Sequence, residues 1–233
     1  MLKRRQFLKM SSAAITGSLL AFPATASTAS LFKEKRYRIL ALVFDDYETL
    51  DLHGPIEMLG HMPDVEIKLV GPTEFVKSYQ GPRVVTDTLM DRHYDCDLLL
   101  IPGGLGTRKL VDDKQLIHWL TIQLTRSKKI FSICTGSALL AKTSSLDGIK
   151  ATTNKMAYQW VTSLADEVHW QPKARWVDDG KFLTSSGVSA GTDAALYWAK
   201  QLHGEVEARR IETLTEYRWV DDSNSDPYAI FTE

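Results

Sequence analysis

Ile130-Phe131-Ser132-Ile133-Cys134-Thr135-Gly136-Ser137 is the stretch whose local structure decides the fold. Residues 130–133 suit a strand buried on both faces. The chain then turns through small residues into an apolar helix expected over 138–141. A side chain at such a strand-to-helix turn is held at the carboxyl edge of a sheet. A thiol there faces the positive end of the helix and nearby backbone N–H groups, which favour the reactive thiolate. The competing reading is an inert core cysteine, because free cysteine is among the most buried residue types.

Outward from this stretch, strands and helices alternate. Residues 37–44 form a continuous apolar run, and 65–70 and 98–101 read as further strands. Residues 84–86 suit a hairpin arm. Gly54-Pro55 is expected to open a short helix that ends at Gly60, with Pro pre-set for a first turn. Residues 114–126 carry Leu116, Ile117, Leu120 and Leu124 on one helical stripe. Residues 168–177 and 182–185 read as strands around an Asp178-Asp179-Gly180 turn. A helix over 189–202 ends at Gly204, and an amphipathic helix follows over 205–217. This order implies a mainly parallel sheet covered on both faces.

Two further segments carry possible chemistry. Leu99-Leu100-Ile101-Pro102-Gly103-Gly104 puts two glycines after a strand. Their N–H groups, with that of Thr135, could hold a developing oxyanion, or the pair is an ordinary turn. Leu50-Asp51-Leu52-His53-Gly54-Pro55 sets an acid among apolar residues before the expected helix. Asp51 reads as a helix cap, or as a buried acid with a raised pKa that exchanges a proton with the thiol.

Taken together and in this order, these segments resemble the DJ-1/PfpI family, over about 38–217. Within the family they are most similar to the isonitrile hydratase branch. Leu146-Asp147-Gly148, Ala151-Thr152-Thr153 and Ser186-Gly187-Val188-Ser189-Ala190-Gly191-Thr192-Asp193 add to the match. The resemblance implies a flavodoxin-like three-layer α/β/α sandwich, with the site beyond the carboxyl ends of the strands. It implies Cys134 as nucleophile, Asp51 as catalytic acid and Thr135, which follows the cysteine, as a third catalytic residue. Gly103, Gly104, His53 and Gly187 would then form the oxyanion and substrate-binding set. His53 departs from the branch, which commonly has a small polar residue there, and either reaches the pocket or faces solvent. No His follows Cys134, which argues against a Cys-His protease. The implied activity is that of a lyase adding water to a small electrophile. A cofactor-free glyoxalase acting on α-oxoaldehydes, or a ligand or redox sensor without turnover, are the alternatives.

The ends and composition bound the rest. Residues 1–26 have a basic start, a short apolar middle and Ala24-Thr25-Ala26, as an export signal does. Arg4-Arg5-Gln6-Phe7-Leu8-Lys9 resembles a twin-arginine signal, so a periplasmic or secreted protein is expected. A membrane contact is expected only through an uncleaved signal. The divisions expected are the signal over 1–26, a polar extension over 27–36, the domain over 37–220 and a loose tail over 221–233. Loss of the signal removes four cations and no acid, taking the formal charge from −1 to −5. An acidic domain argues against nucleic-acid binding. The partners expected are a small-molecule substrate and, by family analogy, a second copy in a homodimer. The histidines show no ligand spacing, so no metal or other cofactor is expected. Trp119, Trp160, Trp170 and Trp198 read as core or interface residues. Cys96 and Cys134 fall at opposite ends of neighbouring strands, too far apart for a disulfide, and two free thiols are expected.

Overall fold

The computed structural model describes residues 36–229. The expected signal and its extension as far as residue 35 lie outside the described residues. In chain order the elements are β1 (Tyr37–Leu42), α1 (Thr49–Gly60), β2 (Val65–Gly71), β3 (Phe75–Lys77), β4 (Arg83–Val85), β5 (Thr88–Leu89), β6 (Cys96–Ile101), α2 (Thr107–Leu110) and α3 (Lys114–Arg126). They continue with β7 (Ser127–Ile133), α4 (Gly136–Lys142), β8 (Lys150–Ala151), α5 (Tyr158–Thr162), β9 (His169–Trp170), β10 (Trp176–Asp179), β11 (Phe182–Ser185), α6 (Ala190–His203) and α7 (Glu205–Leu214).

One sheet runs in the order β10-β11-β7-β6-β1-β2-β5. Its neighbours are parallel except for the β10–β11 hairpin. β1 crosses through α1 to β2 in one direction, whereas β6 crosses through α3 to β7 in the other. Right-handed crossovers that run in opposite directions put their helices on opposite faces of the sheet. α1 packs on α6 and α6 on α7, while α3 and α4 lie against β7. The result is the mainly parallel, helix-flanked sheet of a flavodoxin-like fold. All six residues of β6 are buried, as are Ile39 to Leu42 of β1, because helices cover both faces of these central strands. Trp119 is buried, and Trp160, Trp170 and Trp198 pack partly buried against the core.

The strand order reverses between β1 and β6, so a crevice opens at their carboxyl ends. The segments after these strands meet there. The chain after β1 leads to Asp51, the loop after β6 holds Gly103 and Gly104, and β7 runs directly into Cys134.

Several boundaries differ from the sequence reading. α1 begins at Thr49 rather than at Gly54, so Asp51 sits in its first turn. It is not the cap: Glu48 holds that place, and the Asp51 N–H donates to the Glu48 carbonyl at 3.1 Å. Gly54-Pro55 looked like a start but lies inside the helix. Gly54 is required there by packing, since a Cβ would come 2.2 Å from Thr192 Oγ1 of α6.

The strand expected over 168–177 is split into β9 and β10. Pro172, which has no N–H to give a ladder, lies in the interruption. α7 stops at Leu214, and Glu216 takes a positive φ of 50° just beyond it. The tail is also not loose over its described part. Ser223 accepts from the Arg175 N–H at 2.8 Å, the Asp226 N–H donates to Lys173 at 2.9 Å, and Asp226 is buried. β3, β5, β8, α2 and α5 escaped the reading because elements this short show no periodicity.

Candidate active site

Cys134 adopts a positive φ of 57°, a costly conformation for any residue with a Cβ. Hydrogen bonds on both sides hold it. Its N–H donates to the Ser185 carbonyl at 3.1 Å. Its carbonyl accepts from Ser137 Oγ at 3.1 Å and Thr153 Oγ1 at 3.0 Å. Gly136 completes the turn, because a Cβ at that position would meet the Ile101 carbonyl oxygen at 2.3 Å. The tight approach of the chain after β7 to the end of β6 thus dictates the small residues beside the cysteine. Strain maintained by surrounding bonds at a strand end is the signature of a side chain held for use.

The Asp51 carboxyl lies within hydrogen-bonding reach of the Cys134 sulfur. Asp51 is fully buried, and its Oδ2 accepts from the Gly103 N–H at 3.0 Å. Oδ1 has no hydrogen-bond partner. Burial pushes the carboxyl well above the usual carboxylate range, with the bonds to Cys134 and Gly103 pulling it partly back. Burial also pushes the Cys134 thiol up, and the negative charge of Asp51 adds to that. The Thr135 N–H and the Asn154 side chain pull the other way. Two acids in contact and out of water cannot both ionise. The pair therefore keeps at least one proton, and at most one of the two groups is ionised. This corrects the reading of a thiolate favoured by a helix end: burial is the larger effect, and ionisation of the sulfur requires the proton to be on Asp51.

Gly103 and Gly104 do not present free N–H groups for an oxyanion. The Gly103 N–H is committed to Asp51, and the Gly104 N–H donates to Thr135 Oγ1 at 3.0 Å. Thr107 Oγ1 is also 3.0 Å from Thr135 Oγ1. The glycine turn after β6 thus fixes the acid and the threonine on either side of the sulfur. Gly103 has no room for a side chain, since a Cβ would come 2.5 Å from the Thr135 nitrogen and 2.9 Å from Asp51 Oδ2.

A cavity of about 320 Å³ lies over Asn154 and Gly187, with Leu50, Met156, Val188 and Tyr228 among its walls. Cys134 itself is only 5 % exposed. A Cβ on Gly187 would come 2.9 Å from its Sγ and 2.3 Å from Asn154 Nδ2. Cys134 does not itself line the cavity; Gly187 does, and its bare backbone packs directly against the sulfur. His53 is absent from the cavity wall: it is exposed, and its Nε2 lies 3.2 Å from the Tyr47 hydroxyl. Asn154 and Tyr228 were missed from sequence. Asn154 directly follows the quoted Ala151-Thr152-Thr153, so that motif pointed to it. Tyr228 carried no signal, because only the docking of the tail brings it here.

The second cysteine is remote. Cys96 pairs in register with Ser127 at the start of β7, whereas Cys134 follows the end of that seven-residue strand. The separation is on the order of 20 Å at ~3.3 Å per residue, and both cysteines are free and buried.

Comparisons with known proteins bear on the family and the fold. Isonitrile hydratase from Pseudomonas putida is 32% identical over 177 residues, 76% of each chain. A ThiJ/PfpI family protein of known structure from Pseudomonas syringae superposes with a TM-score of 0.73 at 26% identity, covering 85% of this chain and 84% of that one. Drosophila melanogaster DJ-1beta shares the fold at a TM-score of 0.68 and 20% identity, over 79% of this chain and all of its own. Residues 37–202 match the DJ-1/PfpI family profile, and the chain belongs to that family.

Proposed function

We propose that this protein is a cysteine-dependent hydratase that adds water to a small electrophile of the isonitrile type. The observation that carries the reading is the buried Asp51 carboxyl set against the strained Cys134 thiol. The similarity to isonitrile hydratase supports the choice of electrophile.

The proton shared by the pair is used in the first step. With the proton on Asp51, the sulfur is a thiolate and bonds to the terminal carbon of R–N≡C. The carbon takes the proton from Asp51, giving Cys134–S–CH=N–R. The Asp51 carboxylate then takes a proton from water as the oxygen adds to that carbon, and passes it to nitrogen. The hydroxyl proton returns to Asp51 as the C=O forms and the C–S bond breaks. The product is R–NH–CHO, and the pair again holds one proton. Thr135 contributes its backbone N–H to the sulfur, and Asn154 its side chain. Each favours the thiolate as attacker and as leaving group.

The test is a turnover screen of alkyl and aryl isonitriles beside α-oxoaldehydes, followed by NMR, with Cys134→Ser as control. Formamide production by the wild type that disappears in the variant supports the reading. Turnover of α-oxoaldehydes alone moves the chemistry to the glyoxalase type, and no turnover of either rejects it. We also propose, on the sequence alone, that residues 1–26 are a twin-arginine export signal.

A further inference from the structure

We propose that Tyr228, delivered by the C-terminal segment, sets the specificity of the cavity above Cys134 for uncharged electrophiles with a flat apolar substituent. The proposal rests on the reading of Cys134 as the nucleophile. It goes beyond it in naming what the rest of the substrate must be.

The segment is built into the domain. Its Asp226 carboxylate is buried and lies 3.9 Å from Arg175. Arg175 is itself buried and paired with the fully buried Asp193. Lys155 is the second buried cation nearby; Asp226 holds its charge against a burial that brings its pKa down to about 8. Two cations and two carboxylates therefore balance inside the fold only when the segment is seated. The Ser223 carbonyl receives the Arg175 N–H at 2.8 Å, and Asp226 Oδ1 receives the Tyr228 N–H at 2.9 Å. The second bond fixes the backbone of Tyr228 against the buried anchor. Nothing of this kind would be needed to park a spare end of chain.

The anchored tyrosine forms part of the cavity wall with Leu50, Met156 and Val188. Leu50, Met156 and Tyr228 are 45 %, 74 % and 54 % exposed, so three large apolar side chains share one rim. The polar side chains of the wall are Asn154, which interacts with the sulfur, Lys155, Ser186 and Ser189, the last bonded to Arg175 at 3.3 Å. Lys155 is 2 % exposed, its Nζ is held inside the fold by Thr152 Oγ1 and the Ala174 carbonyl, both at 2.7 Å, and its charge is faced by Asp226. A reacting carbon held at Cys134 therefore projects its substituent between apolar walls, with an aromatic ring on one side. A flat ring fills that space, whereas a charged group would lose its water without gaining a partner.

The test uses alkylation of Cys134, read by peptide mass spectrometry, so it does not depend on turnover. Two reagents are compared, iodoacetamide and N-benzyliodoacetamide. In each case a C–S bond forms, iodide leaves and the thiol proton goes to solvent. In the wild type the benzyl reagent reacts about tenfold faster, the value of one aromatic contact. Tyr228→Ala brings the two rates within about twofold, and Tyr228→Phe keeps the preference. A wild type without preference, or a preference that survives Tyr228→Ala, overturns the proposal. A Cys134 that reacts with neither reagent sinks the nucleophile reading, and this proposal with it.

Discussion

At the scale of single residues, the candidate site carries a strained cysteine and an unsatisfied acid. Asp51 is a buried acid with one oxygen lacking any hydrogen-bond partner. Its raised pKa means that the folded protein binds a proton more tightly there than the unfolded chain does. Stability from that group is present at low pH and is lost as pH rises through the folded value. Asp51→Asn keeps an acceptor for the Gly103 N–H and removes the ionisable group. The variant is expected to melt at or above the wild-type temperature, with an advantage that grows with pH, while turnover falls about 10²- to 10⁴-fold. Melting curves across pH, set beside activity, check both halves. A variant that melts lower at every pH would show that the carboxyl is structural.

The same scale shows what the sequence could and could not reveal. Cys134, Thr135, Asp51 and Gly103 were legible because each follows the end of a strand, and parallel topology brings strand ends together. The roles of Gly103 and Gly104 were misread, because a glycine motif does not tell whether its N–H groups are free or already bonded. Here they hold Thr135 and Asp51 in place. Tyr228 was invisible, because no local pattern says where a tail docks.

At the scale of elements, close approach decides most of the local sequence. Gly136 is needed because α4 starts against the end of β6. Gly136→Ala would drive a Cβ into the Ile101 and Pro102 carbonyl oxygens, at 2.3 and 2.9 Å. Backbone cannot yield as a side chain can, so a loss of more than about 2 kcal/mol is expected. Urea unfolding of this variant measures it, and an unchanged midpoint would contradict the packing described. Gly54 shows the same cause misleading the reader. The pair Gly54-Pro55 resembles a helix start, yet the glycine is there for α6, and the helix had begun at Thr49. α3 was read to its true ends because its apolar stripe is long and Asp113 caps it with bonds to Gln115 and Leu116. Where a helix faces only one partner, periodicity is a faithful guide. Where two helices cross tightly, the contact overrides it.

At the scale of the whole molecule, the order of the central sheet explains why one crevice collects the chemistry. The reversal between β1 and β6 brings three strand ends to one place, and burial does the rest. The same burial makes a general prediction about alkali. Tyr37, Tyr158 and Tyr197 are pushed up to about 12, chiefly by burial, and Tyr217 goes higher still. A tyrosine whose folded pKa lies above its unfolded value near 10 stabilises the fold below pH 10. That contribution is lost as pH rises toward 12. The melting temperature should therefore fall between pH 10 and 12, before these tyrosines ionise in the folded protein, and their tyrosinate absorbance should appear on unfolding. A melting temperature flat across that window would contradict it. The proposed export signal belongs to this scale too. Replacement of Arg4 and Arg5 by lysine should leave the protein in the cytoplasm, as fractionation would show, and unchanged export would reject the twin-arginine assignment.

The central claim is that the Cys134 sulfur forms the bond to substrate. It is tested most directly by mixing the protein with benzyl isonitrile, acid-quenching within the time of the first expected turnovers and weighing the protein intact. An added mass equal to one whole isonitrile, mapped to the Cys134 peptide and absent from Cys134→Ala, is the predicted result. Formamide release at the wild-type rate by Cys134→Ala, with no adduct on either protein, would contradict it.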